Sequence, residues 1–414
     1  MAKRPPQSVV HPSSNSLALY VHWPWCLAKC PYCDFNSRAN APNSVDQDHY
    51  RTAILQDLKH YAGQTKGRTL TSVFFGGGTP SLLDPDTVHA ILEASSGHWA
   101  VDPNCEITLE ANPTSVEAAK FRAFRDAGVN RVSVGVQALN DEDLQRLGRE
   151  HSVEEALGAV DIAQAVFDRY SIDLIYARPG QGEGDWADEL EYALGLVTDH
   201  ISLYQLTVEP GTDYFRQNIA EADEDLAADL YQLTQEMCDA DGLPAYEVSN
   251  HARPGAESRH NLTYWRGGDY IGIGPGAHGR LTQDGVTHAT HQIADPARWL
   301  DRVERDGHGT AKSSELTRSE REEELILTGL RLSEGIDAQR FEDQTGTPLM
   351  QCINAQSVED LTKAGLLEVA KHGICTTEAG RLMLNGVIAQ LLDDGREDEP
   401  APDPFAGFSG GGIN

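Results

Sequence analysis

Short apolar runs alternate with amphipathic stretches over the first half of the chain. Each β-rich run is followed by a segment with helical periodicity, such as Asp48–Tyr61, Asp84–Ser95, Ser115–Ala127, Asp141–Leu147 and Ser152–Val166. The six runs are Leu17–Val21, Thr71–Phe75, Glu106–Leu109, Arg131–Gly135, Ser171–Ile175 and His200–Leu206. Six β-then-α units predict a parallel sheet with helical crossovers. Because six units fall short of a closed eight-fold barrel, we expect an α/β fold built on an open, partial (β/α)6 barrel of the TIM type.

The second half of the chain changes pattern twice. Residues 211–314 mix helical stretches with Gly-rich loops and form a predicted connecting region. Residues 315–395 predict helix, helix, hairpin and helix, at Ser319–Leu332, Asn354–Ala364, Gly365–Val369 with Ile374–Thr376, and from Glu378 onward. This order is typical of a winged-helix-like α+β domain. With the barrel at 16–210, the polar ends at 1–15 and 396–414 are predicted to be a disordered arm and a disordered tail.

The net charge of the chain argues against some classes of binding partner. The 414 residues contain 33 Lys and Arg against 64 Asp and Glu, a net charge of −31. Such a surface repels nucleic-acid phosphates and anionic membranes, so we expect no nucleic-acid partner. Winged-helix modules often bind DNA, but residues 315–394 contain 7 basic and 15 acidic residues, a net of −8, which argues against that use.

The same sequence suggests a cytoplasmic location. It shows no apolar run of 18 residues and no secretory signal in its first 15 residues, so neither a membrane span nor export is predicted. Seven cysteines, with three of them inside eight residues, suit a reducing compartment and a cofactor site rather than a disulfide framework.

The strongest chemical signal is Cys26-x3-Cys30-x2-Cys33, directly after the first predicted strand. Three thiolates in one short loop can hold three irons of a [4Fe–4S] cluster and leave the fourth iron open. An open iron can chelate S-adenosylmethionine (SAM). A zinc site lacking its fourth ligand and unpaired structural thiols are the alternatives, and both are less specific to this spacing.

Polar or glycine residues follow the other strands, where the working residues of a β/α barrel gather. Strand two runs into Gly76-Gly77-Gly78-Thr79-Pro80, whose backbone can approach a ligand closely. The later candidates are Glu110, Gln137, Arg149 and Asp173. Taken alone, each is better explained as a capping or exposed group, with the two readings about even for Arg149, but a polar residue at the end of every apolar strand favours a binding site.

For two further sequence patches, the residues alone do not decide between a functional and a structural role. His260-Asn261-Leu262-Thr263-Tyr264-Trp265 combines an imidazole with two aromatics, which suits a haem site. A hydrogen-bonded core histidine beside a Tyr–Trp pair is the blander alternative and is favoured at this point. The Gly-rich run from Gly272 to Gly279 could cradle a ligand, although it lacks the context of a dinucleotide site. His22, beside the Cys loop, is expected to brace it.

Taken in order, these motifs resemble those of the HemW haem chaperones, relatives of the oxygen-independent coproporphyrinogen III oxidase HemN. The resemblance spans roughly residues 17–390 and implies a radical SAM barrel, a [4Fe–4S] cluster, SAM and haem as cargo. It assigns the cluster to Cys26, Cys30 and Cys33, and His260 to haem. The residues implied in cofactor binding are Tyr20, Tyr32, Gly77, Gly78, Thr79, Glu110, Gln137, Arg149 and Asp173, of which Gln137, Arg149 and Asp173 match positions that contact a second SAM in the oxidase.

Two positions depart from the related patterns. Phe35 stands where the oxidase has a fourth cysteine, and Phe can neither ligate a metal nor relay a proton, which argues against oxidase chemistry. Arg178 replaces an expected apolar residue beside the fifth strand, which questions the ligand contacts there.

The resemblance therefore predicts a haem chaperone that delivers haem to apo-haem acceptor proteins, including membrane respiratory enzymes that it would meet peripherally. A homodimer is compatible with it. The rival is an oxidase that decarboxylates coproporphyrinogen III through a 5′-deoxyadenosyl radical, and a third reading is a radical SAM enzyme for another substrate.

Overall fold

A computed structural model describes residues 15–41 and 44–393. The predicted tail at 396–414 and all but the last residue of the predicted arm at 1–15 lie outside the described residues. Among the described residues, no helix combines the length and apolar character needed to cross a membrane.

Sixteen strands occur in the described part of the chain. They are β1 (Ser16–Trp23), β2 (Trp25–Cys26), β3 (Arg38–Ala39), β4 (Thr69–Gly77), β5 (Ala100–Ala111), β6 (Arg131–Gln137), β7 (Arg169–Tyr176), β8 (His200–Gln205), β9 (Asn250–Ala252), β10 (Tyr270–Ile273), β11 (His278–Gln283), β12 (Val286–Gln292), β13 (Thr310–Glu315), β14 (Ile336–Asp337), β15 (Leu367–Ala370) and β16 (Gly373–Thr376).

The α-helices surround the large sheet and build the C-terminal unit, except α10, which lines a cavity with the strands. They are α1 (Gln47–Gln64), α2 (Pro85–His98), α3 (Ser115–Ala118), α4 (Phe121–Ala127), α5 (Asp141–Arg146), α6 (Val153–Val166), α7 (Glu183–Leu194), α8 (Asp213–Arg216), α9 (Glu224–Ala240), α10 (Arg259–Trp265), α11 (Pro296–Asp306), α12 (Arg318–Gly329), α13 (Ala338–Thr345), α14 (Ala355–Lys363), α15 (Glu378–Leu382) and α16 (Leu384–Leu392).

The six predicted strands form the parallel centre of the main sheet. The sheet has 11 strands in the order β13-β12-β11-β10-β1-β4-β5-β6-β7-β8-β9. Pairing is parallel from β10 through β8 and antiparallel at both ends. Because parallel strands end at one common edge, the loops after β1, β4, β5, β6, β7 and β8 gather there, as the partial-barrel prediction requires.

Local sequence explains where the helices begin. Ser152 caps α6 through a hydrogen bond from the backbone N–H of Glu155, whose side chain returns the bond in a capping box. The predicted helix Ser115–Ala127 was wrong as one piece, because the chain breaks into α3 and α4. Lys120 lies at the break and its ammonium donates to the carbonyls of Ser81 and Leu83.

The connecting region holds more sheet than the sequence predicted. Strands β10 to β13 extend the barrel beyond β1, and β10 lies parallel to β1 with Tyr20 opposite Gly272. The Gly-rich run therefore forms a tight turn rather than the ligand cradle considered from the sequence. Gly274 and Gly276 adopt left-handed backbone, and a Cβ there would lie 2.5 Å from the carbonyl of His22 and 2.1 Å from Asn36 respectively.

Two large apolar cores stabilise the chain. One runs through the barrel and its extension from Leu17 to Val303, and the other joins residues of the C-terminal unit from Leu325 to Leu391. The C-terminal unit has the predicted helix, helix and hairpin, with α13 and β14 added, and its small sheet has the order β14-β16-β15.

Candidate functional site

A cavity of about 290 Å³ opens at the edge of the sheet where the parallel strands end. All 13 residues that the sequence analysis singled out for cofactors or metal line it. They are Tyr20, Cys26, Cys30, Tyr32, Cys33, Gly77, Gly78, Thr79, Glu110, Gln137, Arg149, Asp173 and His260. Their convergence from five strands of the main sheet, the Cys loop, the segment after α5 and α10 makes this cavity the candidate site.

The Cys loop leaves the end of β1 and is fixed by its own turns. The N–H of Cys33 donates to the carbonyl of Cys30 at 3.1 Å, and Lys29 Nζ reaches the carbonyls of Phe35 and Ser37 at 3.0 and 3.3 Å. All seven cysteines of the chain are free, so the three loop thiols are available as ligands.

The thiols have different surroundings. Burial raises the pKa of Cys26 to about 11 and also raises that of Cys33, so these sites favour neutral thiols until a metal replaces the protons. Arg149 Nη1 lies 3.5 Å from the sulfur of Cys30. In the described residues, no three Cys, His, Asp or Glu side chains are already gathered at metal-binding spacing. Three free thiols on one short loop nevertheless fit an iron–sulfur cluster by their number and chemistry.

His22 braces the Cys loop, as predicted. Its Nε2 lies 3.0 Å from the carbonyl of Asn36 and its Nδ1 lies 3.0 Å from the hydroxyl of Tyr20. The Asn36 amide donates in turn to the carbonyls of Pro275 and Ala294, both at 3.0 Å. The far end of the Cys loop is thereby tied to the Gly-rich turn of the extension.

The glycines after β4 are required by close packing. Gly77 has φ +113°, and a Cβ there would lie 2.6 Å from the His22 ring. A Cβ on Gly78 would lie 2.7 Å from the carbonyl of Trp25. The loop therefore presses onto the chain beside Cys26, and Thr79 in the same loop lies buried at the cavity wall.

Two half-buried carboxyl groups, Glu110 on β5 and Asp173 on β7, line the cavity. Burial, reinforced by the charge of Asp173, raises the pKa of Glu110 to about 8, and burial also raises the pKa of Asp173. Glu110 accepts a bond from the N–H of Gly77 at 3.2 Å, and Asp173 accepts one from Ser133 at 2.9 Å. Poorly solvated carboxyl groups of this kind favour a ligand that brings hydroxyl donors or a positive charge.

Gln137 and Arg149 meet beside the Cys loop. Gln137 adopts left-handed backbone at φ +71°, and its buried Oε1 has no hydrogen-bond partner among the described residues. Arg149 donates to Asn112 at 2.6 Å and to the carbonyl of Gly135 at 3.0 Å, and it also bonds the hydroxyl of Tyr32. An orphaned amide oxygen in a cavity wall is a position that a bound ligand would satisfy.

His260 lies in the same cavity, packed against aromatic rings. Its ring stacks on Phe74 with centroids 5.0 Å apart and lies 6.1 Å from Tyr20. Its Nδ1 lies 3.2 Å from Ser72 Oγ. Burial lowers the pKa of His260 to about 3, so the imidazole is neutral at pH 7.

Helix α10, which carries His260, is anchored by Glu106, a residue that the sequence did not single out. Glu106 is buried at the N-terminus of α10 and accepts from the N–H of Arg259 at 2.9 Å, which is favourable for the helix dipole. Arg169 pairs with the same carboxylate at 2.8 Å. Ser258 caps the helix, so its first turn is anchored in the barrel.

Arg178 does not disturb the cavity, which it does not line. It is buried and donates to the carbonyl of Ile175 at 2.6 Å, to Asp143 at 3.0 Å and to Glu189 at 2.6 Å. The departure noted in the sequence therefore builds a buried ion pair that ties the loop after β7 to α5 and α7.

Several other cavity residues were not singled out from the sequence as ligand contacts. They include Phe74, Asn112, Tyr204, Glu209, Tyr270, His278 and Arg280. Tyr264 belongs to the His260 motif and His278 to the Gly-rich run, so for these two a signal was present. Phe74 and Tyr204 lie on the predicted strands β4 and β8, and Asn112 and Glu209 follow β5 and β8. Tyr270 and Arg280 come from β10 and β11, whose pairing the sequence does not reveal.

Comparison with known proteins assigns the family. The Radical SAM superfamily profile matches residues 20–193, and the profile of the HemN C-terminal domain matches residues 316–383. The chain is 35% identical to the heme chaperone HemW of Haemophilus influenzae over 388 residues, covering 92% of this chain and all of the relative. The chain belongs to the HemW family of radical SAM proteins. Membership implies a [4Fe–4S] cluster and SAM as cofactors.

Other relatives agree. The radical S-adenosyl methionine domain-containing protein 1, mitochondrial, of Bos taurus is 40% identical over 398 residues, which cover 94% of this chain and 89% of the relative. The solved structure of coproporphyrinogen III oxidase (HemN) from Escherichia coli aligns with a TM-score of 0.78 at 23% identity, covering 94% of this chain and 92% of that one. At that identity the likeness shows the fold alone.

Proposed function

We propose that this protein is a haem chaperone that binds haem in the cavity and passes it to apo-haem acceptor proteins. One observation carries the proposal: His260, a neutral and buried imidazole, lies in the same cavity as the three cysteines of the Cys loop. Relatives that cover nearly the whole chain are named heme chaperones. The proposal includes membrane respiratory enzymes as one class of acceptor, met peripherally by a cytoplasmic protein, and it is compatible with a homodimer.

The surroundings of His260 suit an iron ligand. A neutral imidazole has a free lone pair, and neutral histidine is the form that binds metals. An Nδ1–H donated to Ser72 leaves that lone pair on Nε2, and a hydrogen bond of this kind also fixes the ring orientation. The rings of Phe74 and Tyr20 stack nearly parallel to the imidazole, at 25° and 28°, and help to hold it in one orientation.

The same proposal assigns the cofactors to residues. Cys26, Cys30 and Cys33 would hold the cluster, which would supply an electron to SAM when both are bound. The residues that would hold SAM are Tyr20, Tyr32, Gly77, Gly78, Thr79, Glu110, Gln137, Arg149 and Asp173. The half-buried carboxyl groups and the orphaned amide oxygen described above fit a ligand that carries ribose hydroxyls and a positive sulfonium.

The oxidase alternative is not favoured. Phe35 lines the cavity where the oxidase motif has its fourth cysteine. A phenyl ring offers no ligand and no proton to a substrate.

The test is a haem titration of the anaerobic, cluster-loaded protein, followed in the Soret region. We expect saturable binding that weakens at least tenfold in His260→Ala, with His89→Ala on the exposed face of α2 as the matched control. Binding that is indifferent to His260 would refute the proposed site. Formation of protoporphyrinogen from coproporphyrinogen III, with SAM and a reductant, would instead support the oxidase.

A further inference from the structure

The charges that line the cavity are unevenly distributed. Four carboxyl side chains face it, and three of them, Glu110, Asp173 and Glu209, lie on or after the strands from β5 to β8. The β11 side of the cavity carries His278 and Arg280 instead. The other cation of the lining, Arg149, already bonds Asn112 and the carbonyl of Gly135, so the β11 side is the more favourable side for a ligand with negative groups.

Three cationic or hydrogen-bond-donating side chains form a row on the extension. His278 of β11 lies directly opposite His291 of β12, with their ring centroids 4.1 Å apart. His291 lies directly opposite Lys312 of β13. Residues that pair directly across strands project to the same face of a sheet, so the three side chains share one face.

The row leads from the cavity to solvent. His278 lines the cavity, His291 is half-buried and Lys312 is exposed on the edge strand. Arg280, on the same face, is neutralised by Glu324 at 2.6 Å. Within the described residues, Lys312 makes no salt bridge, although Glu320 lies close enough to sense its charge.

We propose that His278, His291 and Lys312 form a carboxylate subsite that binds the propionate groups of the porphyrin. The inference rests on the proposed function, since it assigns the polar edge of the same ligand. Imidazole N–H groups and an ammonium are the donors that carboxylates accept in charge-assisted hydrogen bonds. In a chain of net charge −31, a row without an acidic member is unusual.

The spacing fits a porphyrin held at His260. The His260 ring lies beside Tyr20 of β1, and β11 is two strands away from β1. At ~4.8 Å per strand the separation is roughly 10 Å. This is the order of the reach from the centre of a porphyrin to its carboxylates, so iron at His260 and a propionate at His278 can be bound together. His291 and Lys312 lie three and four strands from β1, and their side chains continue the row of donors outward from His278.

The experiment compares haem with its dimethyl ester, which lacks the two negative charges. The cluster-loaded protein, the double variant His291→Gln/Lys312→Gln and the matched control His89→Gln/Lys66→Gln are each titrated with both ligands. All four positions are exposed or half-buried, so the fold is expected to survive. We expect the double variant to bind haem about tenfold more weakly, or about 1.4 kcal/mol, and to bind the ester as the unmodified protein does.

The outcomes separate the subsite from the proposed function. Equal loss of haem and ester in the double variant would overturn the subsite, because the effect would not pass through the carboxylates. Unchanged haem binding in the double variant, with a loss in His260→Ala, would also overturn the subsite and leave the chaperone proposal standing. No saturable haem binding by the unmodified protein would overturn both.

Discussion

Replacing Arg178 by Met tests whether the buried ion pair behind the loop after β7 stabilises the barrel. The guanidinium is 4% exposed and bonds the Ile175 carbonyl, Asp143 and Glu189. Methionine fills a similar apolar volume but offers no donor. The substitution therefore isolates the lost hydrogen bonds and charge from any loss of packing.

The expected loss of stability in Arg178→Met depends on the hydrogen bonds and ion pairs that Glu189 and Asp143 keep. Glu189, with a side chain 8% exposed, keeps bonds from the Leu139 N–H at 2.6 Å and from Gln181 at 3.1 Å but loses its cation. Asp143 is 19% exposed and keeps Arg146 at 3.3 Å, so its share of the loss is small. Removing one partner of a buried pair typically costs about 3–5 kcal/mol. Because only Glu189 is left stranded, we expect a loss of about 3 kcal/mol in the free energy of unfolding.

Urea denaturation followed by circular dichroism measures this loss. Arg146→Met is the matched control, since Arg146 is 55% exposed and its removal should cost less than about 1 kcal/mol. Adding Glu189→Gln to Arg178→Met keeps the bond from Leu139 and removes the stranded charge, so about 2 kcal/mol should return. A loss below about 1 kcal/mol, or no recovery in the double variant, would refute the reasoning.

Three further predictions concern the cofactor loop and pH. Cys30→Ala should abolish the brown colour and the broad absorbance of the cluster, and retention of full iron would contradict the ligand assignment. Gly276→Ala, which drives a Cβ into Asn36, should lower the iron retained per chain, whereas Gly255→Ala, with similar backbone and open space, should not. Burial lowers the pKa of His251 to about 3, so the stability that its neutral form contributes is full above pH 6.5 and falls on acidification. Urea denaturation across pH 4.5–6.5 measures how the free energy of unfolding changes with pH, and His251→Leu should reduce that slope by up to about 1.4 kcal/mol per pH unit. An unchanged slope would contradict the prediction.

The centre of the fold could be predicted because its signals are local. Each parallel strand contains a short β-rich run that is largely buried, such as Arg131–Gln137, and β1, β4, β5, β6 and β7 each carry a residue of the site. The Cys loop is likewise a local motif. The site residues converge because parallel strands end at one edge, which is a rule of topology rather than a property of any single residue.

Strands β10 to β13 could not be predicted, because their own residues carry little local signal for a strand. β12, Val-Thr-His-Ala-Thr-His-Gln, has no large apolar side chain beyond its exposed Val286, and β13 is almost wholly exposed. Their order is imposed by pairing with β11 and with each other. Glu106 shows the same limit, because its partner at the start of α10 lies 153 residues away in sequence.

The C-terminal unit has a structural part in the site that its resemblance to a DNA-binding module would not suggest. Arg331 lies over the ring of Trp265, the last residue of α10, at 5.6 Å. Just beyond the helix, Arg266 pairs with Glu334 at 2.7 Å and Gln344 donates to the carbonyl of Gly267 at 3.1 Å. The barrel anchors the first turn of α10 through Glu106, and the C-terminal unit anchors the last. His260 is therefore held between two separate apolar cores, and a change in how they meet would move the imidazole directly.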